Sequence, residues 1–386
     1  MDYMEYESLL ICVEYEPDCR NAHIATVWND VMYIWGDHVS NTCAENHHNP
    51  AVIWKYNILR KSWLKHTVDG YFPKFRTGSC AALLGCNLFV FGGVRSVRDI
   101  SDFVFGGICL TEVNDLNKLN LSTLEWELIQ PSGAPPSKRR KCACISFENR
   151  LIFFGGFGPR PEEDQLQNGE FDNSLTYSYG GWNNHLFAYE TATNQWIPLA
   201  NDGERPSSRA AHCLAKNGRK AYLHGGRHLG ERLDDFYELS LETYTWTFIR
   251  CMSVEKPIGR SWHTLTSISS DQIFLFGGLD TTRNVLSDGW LYNITTKTWL
   301  KARDGEYSRL WHTACTGSYA GQVLVFAGCE NNIFLTDLKH TNNVITFDLQ
   351  PKPLLRICLE QVAKNRDTWK DLPFYLCQLL KKLAGG

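Results

Sequence analysis

An apolar strand that ends on a glycine pair recurs six times along this chain, and few folds can accommodate that repetition. The copies run from Val31 to Gly36, Leu88 to Gly93, Leu151 to Gly156, Ala221 to Gly226, Ile273 to Gly278 and Val323 to Gly328. Two depart from the pattern, with Asp37 following Gly36 and Ala327 preceding Gly328. Their spacing is uneven, about 50 to 70 residues, because the intervening loops differ in length. After each of the first five copies comes a further strand-like run and then a tryptophan: Trp63, Trp126, Trp196, Trp246 and Trp299. Tyr56, Tyr189 and Tyr292 each stand seven positions before theirs. Short strands parted by turn residues at this period predict four-stranded blades around an axis. The glycines let the chain turn sharply where a Cβ would strike its neighbours. The tryptophans are placed to cap the apolar layer between blades.

The reading is one all-β domain over 1–350, a six-bladed β-propeller with a short C-terminal helical tail. Its blades are expected near 22–66, 77–130, 141–199, 209–249, 261–302 and 311–350, closed by the N-terminal segment. The sixth repeat has no tryptophan, and the apolar run Leu9–Val13 is expected to supply or cover a strand there. His212, His263 and His312 recur three positions after Arg209, Arg260 and Arg309, and His23 follows Arg20 in the same way. A residue repeated blade by blade reads as a structural hydrogen-bonding position before it reads as a catalytic one.

Charge and composition constrain function weakly. Thirty-nine Lys and Arg against 42 Asp and Glu give a net charge of −3, without the basic excess of a nucleic-acid or anionic-membrane binder. The acidic start has no basic region ahead of its short apolar run, so no secretory signal is expected. No stretch approaches the roughly 20 apolar residues of a membrane-spanning helix. The fourteen cysteines are scattered through strand-like runs and read as reduced, buried thiols of a cytoplasmic or nuclear protein. Cys142 and Cys144 share a strand face, but no second Cys/His pair at zinc spacing accompanies them; no metal or cofactor is expected. Neither paired carboxylates nor a nucleophile–base arrangement stands out, so binding is expected rather than catalysis.

Past Pro351 and Pro353 the periodicity changes. Leu354–Val362 and Leu372–Leu380 carry apolar residues at helical spacing, the second with Pro373 at its start. Residues 351–382 are thus read as a helical module and 383–386 as a flexible tail.

The paired glycines and spaced tryptophans are the signature of kelch repeats, which the chain resembles from about residue 20 to 350. Leu354, Cys358 and Val362, at four-residue steps, resemble an elongin-C-binding box, and Leu372, Pro373 and Leu376 the companion cullin-2 box. Pro353 stands where that box usually has a small residue. Together with the propeller, the chain resembles the kelch domain-containing protein 1/2 family. Those proteins are substrate receptors of cullin-2 RING ubiquitin ligases that recognise C-terminal Gly-Gly degrons.

The resemblance implies elongin B/C and cullin-2 as partners, substrates that end in Gly-Gly, and no catalysis by the chain itself. It places carboxylate-binding groups at Arg227, Arg232 and Ser261, and pocket residues at Lys141, Trp182 and Trp262. Phe157 stands where the family has a tyrosine, which removes one hydroxyl. Two guanidinium groups suit a carboxylate, and an aromatic wall around a chain's last two residues would admit only glycine. The chain itself ends in Gly385-Gly386, which invites self-recognition: the tail is expected to compete with substrate, in cis or in a neighbouring subunit. A non-catalytic kelch scaffold is the alternative.

Overall fold

The computed structural model describes residues 16–36, 51–97, 109–162, 168–174, 180–334, 337–364, 372–374 and 376–377. The run Leu9–Val13, the substituted Asp37 and the terminal Gly385 and Gly386 lie outside the described residues.

Six blade sheets follow one another along the described chain, antiparallel except where Asp202–Gly203 adds a short parallel strand to the fourth. Blade 1 is built from Ile24–Trp28, Val31–Trp35, Val52–Asn57 and Ser62–Thr67. Blade 3, as another example, is built from Ala143–Phe147, Arg150–Phe154, Leu186–Glu190 and Gln195–Pro198. Blade 6 has three strands among the described residues: Thr313–Thr316, Gln322–Cys329 and His340–Asp348. The first strands of all six blades neighbour one another in a closed cycle, blade 6 returning to blade 1. This is a six-bladed β-propeller.

The second strand of each blade is the one that the repeat made visible, and it is buried on both faces, as in Leu151–Phe154. The tryptophans lie on the fourth strands, and each crosses to the blade before it. Trp126 meets Trp35 at 4.9 Å between ring centroids, Trp246 meets Phe154 at 4.8 Å, and Trp63 of blade 1 meets Phe326 of blade 6 at 5.1 Å. Removing one such ring would cost on the order of 3–5 kcal/mol. In blade 6, Phe347 takes over this contact from the third strand, 4.9 Å from Phe276 of blade 5.

The arginine that opens each repeat ties its own blade together. The Arg209 guanidinium donates to the carbonyl of Gly225 at 3.0 Å and to both oxygens of Asp235 at 2.6 and 2.7 Å. Arg260 does the same with Gly277 and Asp288. In turn the second glycine of one blade donates its N–H to the arginine carbonyl of the next, Gly226 to Arg260 at 2.9 Å. Gly328 to Arg20 at 2.8 Å carries this pattern across the closure. The glycines are needed for that approach: at Gly225, with φ of +64°, a Cβ would lie 2.6 Å from the Arg260 carbonyl oxygen. Ala327 holds the same left-handed conformation at φ +57°.

The recurring histidines are buried beneath this layer. His312 shares a hydrogen bond with Thr264, and His263 with His224. Burial pushes His212 and His312 down to about 3, so these rings are neutral at ordinary pH.

A helix, Leu354–Lys364, follows blade 6. It lays Leu359 and Arg356 inward, and Arg356 reaches Glu360 at 3.1 Å and Asp30 of blade 1 at 3.9 Å.

Candidate functional site

The residue two positions after each repeat arginine adopts a left-handed backbone: Ala22, Gly78, Lys141, Ala211, Trp262 and Trp311 have φ between +47° and +67°. Only one is glycine, so the conformation carries a cost that the surroundings must offset. Hydrogen bonds running around the axis do so. Lys141 N–H donates to Gly78, Ala211 to Lys141, Trp262 to Ala211, Trp311 to Trp262 and Ala22 to Trp311, at 2.7 to 3.2 Å. This girdle brings Lys141, Trp262 and Trp311 to the mouth of the central channel. There they line a cavity of about 150 Å³, with Cys142, His212 and His263 also in its wall.

Lys141 Nζ sits 4.6 Å from the Trp262 ring and 5.5 Å from Trp311, and the two indoles meet edge to face at 5.1 Å. Burial, then the guanidinium groups of Arg140, Arg227 and Arg232, push the ammonium down to about 7. The indole faces act in the opposite sense, since their quadrupoles favour a cation.

Arg227 and Arg232 arise from a ribbon, Arg227–His228 paired with Glu231–Arg232, that follows Gly225-Gly226 directly. The two arginines are cross-strand partners, so one turn delivers both to the same place. Arg232 is buried, donates from Nε to Ser261 Oγ at 3.0 Å and lies over Trp262 at 5.5 Å. Burial, and next the Arg227 charge, lower its pKa. Arg227 donates to the Leu229 carbonyl at 2.9 Å. Among the described residues none of Lys141, Arg227 and Arg232 forms an ion pair, unlike the repeat arginines Arg76, Arg209, Arg260 and Arg309. The buried indole N–H groups of Trp262 and Trp311 are donors without an acceptor among the described residues. Three cations and two free donors converge on one opening, which is the chemistry of an anion site.

Phe157 and Trp182 flank this cluster. They are cross-strand partners in a ribbon of blade 3, with rings 5.1 Å apart. Arg140, next to Lys141, covers Phe157 at 5.2 Å, and Trp182 reaches His228 at 6.1 Å. Lys141, Arg227, Arg232, Ser261 and Trp262 therefore form one cluster, with Phe157 and Trp182 as a wall beside it. Sequence reasoning missed Trp311 and His228 as members. The offset of two from Arg309 signals Trp311, because Lys141 and Trp262 share it; nothing in the repeat marks His228.

Residues 22–278 match the family described as the KLHDC2/KLHL20/DRC7 Kelch-repeats domain. The chain is 35% identical to kelch domain-containing protein 2 of Bos taurus, over all of this chain and 94% of that protein. It is 35% identical to kelch domain-containing protein 1 of Homo sapiens, over 98% of this chain and 93% of that one. The chain belongs to the kelch domain-containing protein 1/2 family. A solved structure titled "Structure of YjhT", at 16% identity and a TM-score of 0.62 over 86% of this chain and 95% of that one, has the same fold.

In this family member the C-terminal helix presents an apolar face to solvent. Leu354 is 76% exposed, Leu355 60% and Ile357 42%; Cys358 is exposed and Val362 half-buried. Downstream, the N–H groups of Leu376 and Cys377 donate to the Pro373 carbonyl at 2.9 and 3.1 Å, a helical turn opened by proline. Leu372 and Leu376 are half-buried there.

Proposed function

We propose that this propeller is the substrate-recognition subunit of a cullin-RING ubiquitin ligase, and that its mouth binds the free C-terminus of proteins ending in Gly-Gly. The observation that carries the reading is the convergence of Lys141, Arg227 and Arg232, unpaired with any carboxylate among the described residues, on an opening walled by tryptophans. A terminal carboxylate supplies the missing charge, and Arg232 with Ser261 is already oriented by their mutual hydrogen bond. Partial burial of these groups strengthens each contact relative to water. The girdle closes the floor with backbone and large rings, so a side chain on the last ligand residues would have to displace them.

The exposed face of Leu354, Cys358 and Val362 is the corresponding docking surface for elongin C, in helix-in-groove fashion, with Leu372, Pro373 and Leu376 toward cullin-2. A large apolar face left in water on an otherwise anchored helix favours a partner over a merely packed tail. On this reading the chain is a non-catalytic receptor acting in the cytoplasm or nucleus, and Gly385-Gly386 is a competitor for its own mouth.

Reconstitution with elongin B/C, cullin-2 and the RING subunit tests the assignment. A substrate ending in Gly-Gly should be ubiquitylated with the wild-type chain and spared with Arg232→Ala. Leu354→Asp should abolish ubiquitylation while leaving peptide binding intact. Ubiquitylation that survives both changes would refute the proposal.

A further inference from the structure

The aromatic wall and the arginine ribbon belong to different blades, and among the described residues one polar contact spans them. In blade 3 the strand Phe171–Asp172 pairs with Gly181–Asn183, setting Asp172 opposite Trp182. In blade 4, His228 follows Arg227 on the short ribbon. His228 Nε2 donates to Asp172 Oδ2 at 2.7 Å, with side-chain exposures of 24% and 29%. The other carboxylate oxygen of Asp172 accepts from the Ser174 N–H at 2.9 Å and the Ser174 hydroxyl at 2.7 Å. The imidazole also meets the Trp182 ring edge to face, at 6.1 Å and 90°. Each half of this pair thus adjoins a residue of the proposed site: Asp172 pairs across from Trp182, and His228 is next in chain to Arg227.

The ribbon needs such a fastening. It has two residues per strand, and a two-stranded ribbon of that length is not stable on its own. Among the described residues its backbone ties to the propeller are the paired bonds between Arg227 and Ala210, 2.7 and 3.0 Å, and, at its base, that of Arg260 N–H to the Leu233 carbonyl at 3.1 Å. Arg232 N–H adds a bond to the Thr281 hydroxyl at 3.1 Å. None of these joins the ribbon to the Trp182 wall.

We infer that the His228–Asp172 hydrogen bond locks the arginine ribbon of blade 4 to the Trp182 wall of blade 3 and so sets how tightly the mouth holds a C-terminal carboxylate. His228 and Asp172 are positioning residues; the ligand is touched by their neighbours. The inference rests on the reading of the mouth as a carboxylate site. Loss of the lock lets the ribbon move against the wall, and the guanidinium groups must then be ordered when the ligand binds, which weakens binding without removing any contact.

The test uses the full chain and a fluorescent peptide ending in Gly-Gly, followed by anisotropy. His228→Ala and Asp172→Ala should each weaken binding about tenfold. The double variant should be no weaker than either single one, because the two residues act as one unit. His228→Gln, which keeps a side-chain N–H donor, should recover part of the loss, and Tm should stay at the wild-type value. Amide hydrogen exchange gives a readout that needs no ligand: residues 227–232 should exchange faster in Asp172→Ala, with the strands of the blades unchanged. Single variants that bind like wild type, losses that add independently, or unchanged ribbon exchange would overturn the inference. A wild-type chain that ignores the peptide, combined with faster ribbon exchange in Asp172→Ala, would instead sink the carboxylate reading and leave the lock standing as a structural element.

Discussion

Lys141 makes the affinity of the mouth depend on pH in a direction that its surroundings fix. Burial and three guanidinium groups push its ammonium down from 10.5 to about 7 in the empty site. A bound carboxylate supplies the missing counter-charge and draws the value back toward 10.5. Between those two values the complex holds a proton that the free protein lacks, so binding takes up a proton and weakens tenfold for each pH unit. At pH 7 about half of the empty sites carry the proton, and at pH 9 about one in a hundred does. The dissociation constant should therefore rise about 50-fold between pH 7 and 9, on the order of 2 kcal/mol. The indole faces of Trp262 and Trp311 favour the cation, so this is the upper value. Anisotropy with a Gly-Gly peptide at constant ionic strength reads the effect. Lys141→Met should bind more weakly and without the slope. A flat wild-type profile from pH 6.5 to 9, or a slope that persists in Lys141→Met, would refute the reasoning.

The repeat arginines and the site arginines should separate in stability measurements. Arg260→Met strands the Asp288 carboxylate, which keeps only the Trp290 N–H at 2.7 Å, and should cost about 3–5 kcal/mol in urea unfolding. Arg232→Met abandons no carboxylate and should cost far less; equal losses would contradict the assignment. Acid should destabilise the fold through its buried histidines. His212 and His312 are held near 3 in the folded chain against an ordinary 6.5, so below pH 6.5 the unfolded chain binds protons that the folded one does not. Stability should fall with decreasing pH by about 1.4 kcal/mol per unit for each ring down to its folded value. Replacing both with glutamine should make the fall in Tm between pH 6.5 and 5 shallower without removing it, since burial also holds His23, His185, His224 and His263 low, and an unaltered slope would count against it.

Much of the scaffold was legible because each repeat element answers to one local requirement. The glycine pairs recur where blade meets blade and a Cβ would strike a carbonyl. The tryptophans recur where each fourth strand must cover the preceding blade. Blade 6 shows the limit: the repeat has no tryptophan, and Phe347, which no pattern marked, makes the contact from the third strand. The candidate site was legible only through resemblance and partial register. Arg227 and Arg232 interrupt the repeat, so nothing periodic announces them. Lys141, Trp262 and Trp311 share one repeat position, yet their chemistry differs, and only the girdle of backbone bonds reveals that three blades present them to one cavity. The His228–Asp172 contact joins residues 56 positions apart, and no local pattern encodes such a pairing.

The most direct test of the account compares one peptide in two forms. The full chain is titrated with a fluorescent peptide ending in Gly-Gly as the free acid, and with the same peptide carrying a C-terminal amide. The account predicts binding of the acid, and loss of that binding on amidation and in Arg227→Ala and Arg232→Ala. The amide removes the charge for which Lys141, Arg227 and Arg232 have no ion-pair partner among the described residues. Equal affinity for acid and amide, or binding that survives both arginine changes, would contradict a carboxylate-reading mouth and leave the propeller a scaffold for another kind of partner.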